Sequence, residues 1–356
     1  KIPGSPIAYW LSNKFIKTIG QGKAIGHDSI TRKGMATGLN EKFVRSWFEI
    51  PFEKMGIGMS RKDARSSTKK WFPYANGGEY RKWYGNYNDV VNWEKDGQIL
   101  QTEKHDKENR IRAVNLNLEY IFNEGLSWTS ITSSFFSIRY LPKGFLFSSA
   151  SNAIFFNGNS TIDNNIALGI LNSNITEYTL KALSPSLNAN PGDIAKIPFV
   201  AVDVREIVKK IVNISKQDWD SYETSWDFSQ NPIIQTQQPN LEQSFNTWQQ
   251  QNAAAVAEMK CLEEENNKLF IEAYGLQDEL TPDVPDEQIT LTRADREKDS
   301  QRLVSYALGC MMGRYSLDEP GLIYAHAGNQ DFDASRYQKF PADADGIIPL
   351  TEMHWF

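Results

Sequence analysis

Hydrophobic and polar positions follow two different periods along the chain, and the change comes near residue 160. Between about residues 20 and 160, Gly, Asn and Pro separate short runs of aromatic and β-branched residues, such as VVNW, LSWTSITSSFFSIRYL and NAIFF. Such runs are typical of short strands. We therefore expect this part of the chain to form a sheet whose long loops are available for function.

Helical spacing is present on both sides of this region. Ser5 and Pro6 form a typical helix start, and the apolar residues that follow share one helical face: Ile7, Trp10, Leu11 and Phe15. Asp163 is expected to cap a single helix with the sequence NNIALGILNSNITEYTLKALS. A helix thus opens and closes the predicted β region.

The remainder of the chain predicts mostly helices. They are expected at about 203–225, at about 240–275 with Gly275 as the left-handed closing residue, and in TRADREKDSQRLVSYALGCMMGRYSL. The predicted class is α+β, a loop-rich mixed or antiparallel β domain followed by a helical spacer bundle. The predicted segments are a recognition domain at 1–200, a helical spacer at 201–290 and a C-terminal helix and loop region at 291–356.

The charges divide unevenly between the two halves. The net charge is −6, but residues 1–200 hold 25 Lys and Arg against 17 Asp and Glu, whereas residues 201–356 hold 13 against 27. A basic first half joined to an acidic second half predicts a division of labour. Phosphate binding, if the chain has it, belongs to the first half.

Several classes of function lack their sequence signature. No uncharged apolar run approaches 18 residues, so we expect no contact with a membrane. The four His lack metal-ligand spacing, and the usual nucleophile and phosphate-loop motifs are absent. Cys261 and Cys310 each fall in a predicted helix, which favours two free buried thiols in a reducing compartment. The chain alone is therefore not expected to be an enzyme or to hold a metal.

Residues 60–93, SRKDARSSTKKWFPYANGGEYRKWYGNYNDVVNW, combine seven Lys and Arg with three Trp and four Tyr. Cations neutralise phosphates, Arg and Asn read base edges, and aromatic rings offer platforms for bases or sugars. A core role for each ring is an equally good interpretation at this point. A second basic stretch, QGKAIGHDSITRKGMATGLNEKFVRSW at 21–47, adds small residues that let a backbone approach a ligand closely.

Seven segments in order carry a resemblance to a known family. They are KIPGSPIAYWLS, GMATGLNEKFVRSWFE, KWFPYANGGEYRKWYGN, LPKGFLFSSASNAIF, ALGILNSNITEYTLKALSPSLNANPGDIAKIP, NKLFIEAYGLQDEL and LVSYALGCMMGRYSLDEPGLI. The chain resembles the C-terminal part of the PglX/BrxX adenine-specific DNA methyltransferases of BREX phage-defence systems. More loosely, it is similar to the specificity domains of Type IIG restriction-modification enzymes.

The resemblance implies a bacterial cytoplasmic protein that methylates adenine with S-adenosylmethionine. The family's catalytic Asn-Pro-Pro-Tyr motif and Gly-rich cofactor strand are missing, so we read the chain as a piece that follows them and expect no cofactor and no catalytic residue within it. The expected partners are double-stranded DNA, the upstream methyltransferase domain of the same chain and other BREX proteins. Phage inhibitors that imitate DNA also fit the basic face.

The predicted DNA-binding residues combine this resemblance with side-chain chemistry. The predicted phosphate contacts are Lys23, Arg32, Lys33, Arg45, Lys69, Lys70 and Lys82. The predicted base-edge readers are Arg81, Asn76, Asn86 and Arg139, and the predicted stacking or shape contacts are Tyr74 and Tyr84. Thr37 and Asn40 are predicted DNA contacts before a short helix.

Two other functions remain open on the sequence. Trp and Tyr platforms beside Asn and acidic residues also bind sugars, which would make the chain a carbohydrate-binding module. Alternatively, the acidic helices dock proteins and the chain is an interaction scaffold. Duplex binding that weakens steeply with salt separates the DNA hypothesis from both.

Overall fold

The structure is a computed structural model that describes residues 12, 15–17, 23–131, 135–156, 162–183, 188–324 and 332–343. The helix start predicted at Ser5 and Pro6 lies outside these ranges, and residues 15–17 are helical. Helices and antiparallel sheets occur in the same chain, so the predicted α+β class is confirmed.

The strands of the described residues are β1 (Lys23–Ala24), β2 (Ser29–Arg32), β3 (Val44–Ser46), β4 (Trp71–Ala75), β5 (Asp89–Asn92), β6 (Gly125–Thr129), β7 (Ile138–Leu141), β8 (Leu146–Phe147), β9 (Ser151–Phe156) and β10 (Pro198–Phe199). One antiparallel sheet, called the first sheet, has the order β2-β9-β6-β7. The second sheet has the order β3-β5-β4-β8, in which only the β4–β8 pair is parallel. β1 pairs with β10.

The described α-helices are α1 (Asn40–Phe43), α2 (Arg61–Ser66), α3 (Glu94–Thr102), α4 (Asn164–Leu171), α5 (Asn174–Leu183), α6 (Pro191–Ile194), α7 (Arg205–Asp220), α8 (Pro232–Gln235), α9 (Leu241–Tyr274) and α10 (Arg296–Met311). Short 3-10 helices lie at Ile25–His27, Trp47–Glu49, Phe52–Lys54, Asp286–Gln288 and Ala334–Arg336. Gly275 ends α9 with a φ of 67°, as predicted for a left-handed closing residue.

The chain forms two compact units that do not follow its linear order. The first unit contains Lys1–Lys216 and Glu258–Thr290, and the second contains Gln217–Ala257 and Leu291–Phe356. The second unit has an aromatic core in which the ring of Phe228 lies 5.8 Å from Tyr306 and 5.3 Å from Tyr315. The three segments predicted at 1–200, 201–290 and 291–356 remain a prediction about function.

Asp163 caps α4, and the helix that follows is shorter than predicted. Its carboxylate accepts the amides of residues 165 and 166 at 3.0 Å, so the predicted cap is confirmed. The single helix expected here is instead two, because Asn172 leaves the helix to bond strand β7. Its amide oxygen accepts the Ile138 N–H at 3.1 Å, and its amide nitrogen donates to the Ile138 carbonyl at 3.0 Å. This edge bonding is a tertiary contact that helical spacing does not reveal.

A buried ion pair joins the basic aromatic stretch to helix α9 within the first unit. The Lys82 ammonium bonds the Glu263 carboxylate, and the two side chains are only 5% and 3% exposed. The other oxygen of Glu263 accepts the Trp83 indole N–H at 2.7 Å. Arg81 donates beside this pair to the carbonyls of Ser215 and Thr290 at 3.2 and 3.4 Å. The basic aromatic stretch therefore uses Lys82 and Trp83 to bind the acidic helix α9 of the same chain.

The two cysteines differ in their surroundings. Cys310 is buried in the aromatic core of the second unit, as predicted. Cys261 is exposed on α9, so the prediction of a buried thiol is wrong at this position. A long helix that is polar on most faces offers few interior positions.

Removing the buried charge of Lys82 is expected to destabilise the fold. In Lys82→Met, Glu263 keeps a buried carboxylate without its cation, which should lower the free energy of unfolding by about 3–5 kcal/mol. Urea titration followed by circular dichroism measures the change. Lys62→Met removes an exposed Lys from the same stretch and should stay within about 0.5 kcal/mol of the parent. Equal losses in the two variants would contradict a structural role for the pair.

The charge of Asp163 is expected to stabilise the fold only above acidic pH. Backbone amides and the Arg205 guanidinium outweigh desolvation and lower the pKa of Asp163. The stabilisation is therefore complete above the unfolded pKa, about 3.9, and is lost as pH falls through the lower folded pKa. Asp163→Asn keeps a capping oxygen, so at pH 7 it should cost about 1 kcal/mol or less, since the pair with Arg205 is half-exposed.

Unfolding free energies measured from pH 7 to pH 3 test this expectation. The difference between the parent and Asp163→Asn should narrow as pH falls below about 4. Asp278→Asn, at an exposed position in the same unit, serves as the control and should show little difference at any pH. A gap for Asp163→Asn that widens with acid would contradict the assigned direction of the pKa.

Candidate nucleic-acid interface

The ends of both sheets meet at one place in the first unit. Residues 148–150 lead directly from β8 of the second sheet into β9 of the first. Met35, which follows β2, is bonded to this connection, because its amide donates to the Phe147 carbonyl at 3.1 Å and its carbonyl accepts the Ser149 amide at 2.8 Å. Ala75, the last residue of β4, pairs with Phe147. We call this place the shared sheet end.

An open cleft of about 540 Å³ lies at the shared sheet end. Its walls are formed by residues 35–41, by 148–150, and by Tyr74 and Asn76. Four of the predicted DNA-binding residues line it, although two separate stretches of the sequence supply them: Thr37, Asn40, Tyr74 and Asn76. We call it the sheet-end cleft.

The polar groups of the cleft are oriented by hydrogen bonds. The Thr37 hydroxyl donates to the Asn40 amide oxygen at 2.5 Å, so Asn40 offers its amide nitrogen outward. The Asn76 amide nitrogen donates to the Asp89 carboxylate at 2.8 Å, so Asn76 offers its amide oxygen. Burial raises the pKa of Tyr74, whose hydroxyl donates to the Met35 carbonyl at 3.3 Å and stays neutral. The cleft is thus a surface of oriented donors and acceptors, and its lining includes one charged side chain, Glu41.

Two glycines, Gly34 and Gly38, let the segment that forms the cleft wall pack directly against neighbouring backbone. A Cβ on Gly34 would lie 2.1 Å from the Phe147 carbonyl oxygen, and one on Gly38 would lie 2.6 Å from that of Arg112. Gly38 also has a φ of 72°, in the left-handed region. The expectation that small residues in 21–47 let the backbone approach a ligand is corrected for these two, because they approach neighbouring backbone.

Three predicted phosphate contacts lie at the margin of the cleft. Lys33 is exposed and lies two residues before the wall, and Arg32 is half-buried and pairs with Ala153 of β9. The Arg32 guanidinium carbon also lies 5.1 Å from the centre of the Tyr120 ring. Arg45 is half-buried and donates to the carbonyl of Glu41, a wall residue. Positive charge therefore lies beside a polar cleft whose wall includes one acidic side chain, Glu41.

A glycine turn forms the adjoining rim. Gly77 packs against Ala150 of the wall, and the Gly78 carbonyl accepts the Thr129 hydroxyl at 3.3 Å. Asn86 has a φ of 62°, and its amide donates to the Glu79 carbonyl at 2.9 Å. Its predicted role at the interface stays a prediction, because it contacts this turn from outside the cleft.

Three predicted contacts are buried, a fourth is half-buried, and all four make contacts within the protein. Lys82 is paired with Glu263. Tyr84 is buried, and the centre of its ring lies 5.3 Å from the Lys216 ammonium. Arg139 is only 2% exposed and donates to the Arg81 carbonyl and the Thr129 hydroxyl, both at 3.1 Å. Burial lowers the pKa of Arg139 to about 10. Arg81, half-buried, donates to three backbone carbonyls. The burial of Lys82, Tyr84 and Arg139 argues against direct contact with a duplex, and the role of Arg81 stays a prediction.

Three predicted phosphate contacts lie away from the cleft. Lys69 and Lys70 precede Trp71 at the opposite end of β4, where the Lys69 ammonium donates to the Glu53 carbonyl. Lys23 is on β1, outside both large sheets, and pairs with Asp28 at 2.6 Å. The predicted set therefore separates into the cleft and its margin, a lysine group at the far end of β4, and an isolated Lys23.

Sequence reasoning missed two features of the shared sheet end. Phe48 is 61% exposed on a 3-10 helix that follows β3, beside the buried Trp47. The Ser148–Ala150 connection forms one side of the cleft. An apolar residue directly after a strand in RSWFE is a signal for the first feature. The second has none, because a short connection of Ser and Ala between two strands is an ordinary loop sequence.

The described residues contain no group of three or more His, Cys, Asp or Glu that could hold a metal ion. Across the same part of the chain, no helix is both long enough and apolar enough to cross a membrane.

Adding a methyl group at Gly34 is expected to break the wall of the cleft. In Gly34→Ala the new Cβ would meet backbone oxygen on either side of it, so the free energy of unfolding should fall by about 1–3 kcal/mol or more. Gly192→Ala is the matched control, because a Cβ there has no neighbour within 4 Å. In helix α6 it should leave stability unchanged or raise it by up to about 1 kcal/mol. Denaturant titration gives the free energy of unfolding of both variants. A Gly34→Ala variant as stable as the parent would contradict the close approach of Gly34 to the Phe147 backbone.

Comparison with known proteins gives two relatives that match the whole chain. It is 38% identical over 365 residues to the adenine-specific methyltransferase PglX of Lacticaseibacillus casei (strain Zhang). It is 35% identical over 382 residues to the adenine-specific methyltransferase BrxX of Escherichia coli O9:H4 (strain HS). In each case the chain spans 30% of the relative's length.

No protein-family model matches the chain. Among solved structures, the Type IIL restriction-modification enzyme MmeI in complex with DNA superposes with a TM-score of 0.40 and 12% identity, over 77% of this chain and 35% of that one. The resemblance predicted from the seven motifs is confirmed at the level of sequence: the whole chain corresponds to about 30% of the PglX and BrxX adenine-specific methyltransferases.

Proposed function

We propose that this chain is the target-recognition part of a site-specific adenine DNA methyltransferase in a BREX phage-defence system. It binds duplex DNA at the sheet-end cleft while a methyltransferase domain of the same polypeptide flips and methylates the adenine. That domain supplies the S-adenosylmethionine site. Methylation marks the host's own DNA, and other BREX proteins act on unmarked DNA.

The observation that carries the proposal is that oriented amide and hydroxyl groups line one cleft that has three cations at its margin. Affinity for DNA comes mainly from phosphate contacts, whereas sequence is read by hydrogen bonds to base edges. Asn side chains pair with adenine through one donor and one acceptor. Asn40 offers a donor and Asn76 an acceptor, and Arg32, Lys33 and Arg45 lie at the margin. This arrangement suits base reading in the cleft and phosphate binding around it.

The lysine group at the far end of β4 fits the same interface. β4 has five residues from Trp71 to Ala75, so its ends are four steps of 3.3 Å, or about 13 Å, apart. The major groove of B-DNA is about 12 Å wide. Lys69 and Lys70 are therefore spaced to reach the phosphates across a groove whose base edges face the cleft.

Of the alternatives, a carbohydrate-binding module loses its physical basis. The rings that would form sugar platforms are all less than one-tenth exposed: Trp71, Tyr74, Trp83 and Tyr84. A ring that fills a core cannot stack on a sugar.

A salt titration of duplex binding tests the proposal. The chain should bind a 30-base-pair duplex with a log affinity that falls linearly against log salt, with a slope of about −0.9 for each phosphate contact. Replacing Lys33 by Gln removes one marginal cation, so the slope should become about 0.9 shallower. Fluorescence anisotropy between 50 and 300 mM salt measures both values.

Lys181→Gln is the matched control, since Lys181 is an exposed Lys on α5 that does not line the cleft. Its slope should equal that of the parent chain. If Lys33→Gln and Lys181→Gln change the slope equally, the cleft margin is not the phosphate-binding surface. Binding without any dependence on salt would refute DNA recognition itself.

A further inference from the structure

The second unit contains a cavity of about 170 Å³ that the proposed DNA binding does not use. Three segments of that unit form it: residues 221–224 after α7, Phe228–Ile233 at the start of α8, and one face of α10. The α10 residues are Asp299, Arg302 and Ser305, whose spacing of three places them on one side of the helix.

The positive charge in the cavity wall is already neutralised. The Arg302 guanidinium bonds the Asp299 carboxylate at 2.6 Å and lies 4.3 Å from the centre of the Tyr222 ring. Asp299 also accepts the Trp248 indole N–H at 3.3 Å and the Asp295 amide at 3.0 Å. This pair is therefore a fixed part of the wall.

Glu223 is the acidic group of the cavity whose hydrogen bonding is incomplete. One of its carboxylate oxygens accepts the Ser305 hydroxyl at 3.1 Å. The other is shielded from solvent and has no hydrogen-bond partner among the described residues. Burial raises the pKa of Glu223. A half-buried carboxylate with only one donor is incompletely stabilised, so a ligand that brings positive charge into the cavity beside it is favoured.

The remaining wall is mainly apolar and sets the shape of such a ligand. Phe228 and Ile233 are buried, and Pro232 and the Tyr222 ring complete the surface. A cavity of about 150 Å³ holds a benzene-sized molecule. The present cavity thus fits about six or seven heavy atoms, the size of a short aliphatic stem with a cationic tip. Lys and Arg side chains have this form, with an apolar stem and a donor-rich head.

We propose that this cavity seats a Lys or Arg side chain of a basic polypeptide partner, with its cation paired with the Glu223 carboxylate. The charge of the unit favours such a partner. Its two segments hold 7 Lys and Arg against 15 Asp and Glu, so a basic segment is attracted before it docks. The stem contacts Phe228 and Ile233, and the head brings positive charge to the carboxylate.

Blocked amino acids test the chemistry of the cavity. N-acetyl-arginine methylamide presents the side chain as a polypeptide would, and N-acetyl-citrulline methylamide is its uncharged counterpart of the same shape. Saturation-transfer NMR on the full chain should show binding of the arginine compound at least tenfold tighter than that of the citrulline compound. Equal binding of the two would overturn the assignment of a cation site.

Variants locate the binding. Glu223→Gln keeps the shape of the side chain and removes its charge, so affinity for the arginine compound should fall at least tenfold. Glu242→Gln removes an exposed charge from the same unit outside the cavity and should leave affinity unchanged. Equal losses of affinity in the two variants would show only a nonspecific attraction to negative charge and would refute the site. Melting temperatures within a few degrees of the parent show that both variants fold.

A third compound separates a polypeptide from a free small cation. Spermidine carries ammonium groups on aliphatic stems but has no backbone. If spermidine binds Glu223-dependently and much more tightly than the blocked arginine, the cavity is a polyamine site and a polypeptide partner is refuted. Binding of spermidine no tighter than that of the blocked arginine supports the proposal.

Discussion

The buried bond between the Lys82 ammonium and the Glu263 carboxylate is the interaction on which the first unit depends. Both charges have left water, and an interior cation is tolerated only when a counter-charge and further hydrogen bonds satisfy it. Glu263 provides both, because its second oxygen accepts the Trp83 indole. Strand segments early in the chain are thereby fixed to a helix about 180 residues later. Part of the basic aromatic stretch that the sequence assigned to DNA binding is thus used to stabilise the first unit.

This use of the basic motif leaves the shared sheet end as the place of the proposed DNA recognition. There the side chains are mostly amides and hydroxyls whose orientation is set by bonds such as that between Thr37 and Asn40. The wall is rigid because Gly34 permits direct contact between two backbone segments. Fixed polar groups lose little entropy on binding, which is what base reading needs. Flexible cations such as Lys33 are better suited to phosphates, whose positions vary less with sequence.

The two units differ in what they can attract. The first has one exposed and two half-buried cations beside a polar cleft, whereas the second is acidic and has a cavity lined by aromatic residues and a carboxylate with incomplete hydrogen bonding. Electrostatic attraction is long-ranged and selects the class of partner before any contact forms. A chain divided in this way is suited to hold DNA on one unit and a basic protein segment on the other.

The sequence by itself determined the local elements, because these follow from short-range spacing. The runs around β5, β6, β7 and β9, the Asp163 cap and the Gly275 helix end were all legible in it, as were the uneven charge and the relationship to adenine-specific methyltransferases. Two of the predicted site residues in each basic stretch also reached the cleft. Only the tertiary structure decided which cations are buried in ion pairs, where the helix after Asp163 breaks, and which glycines pack against neighbouring backbone. Each of these depends on a partner distant in sequence, such as Glu263 for Lys82 or Ile138 for Asn172, and no periodicity within one segment encodes a partner in another.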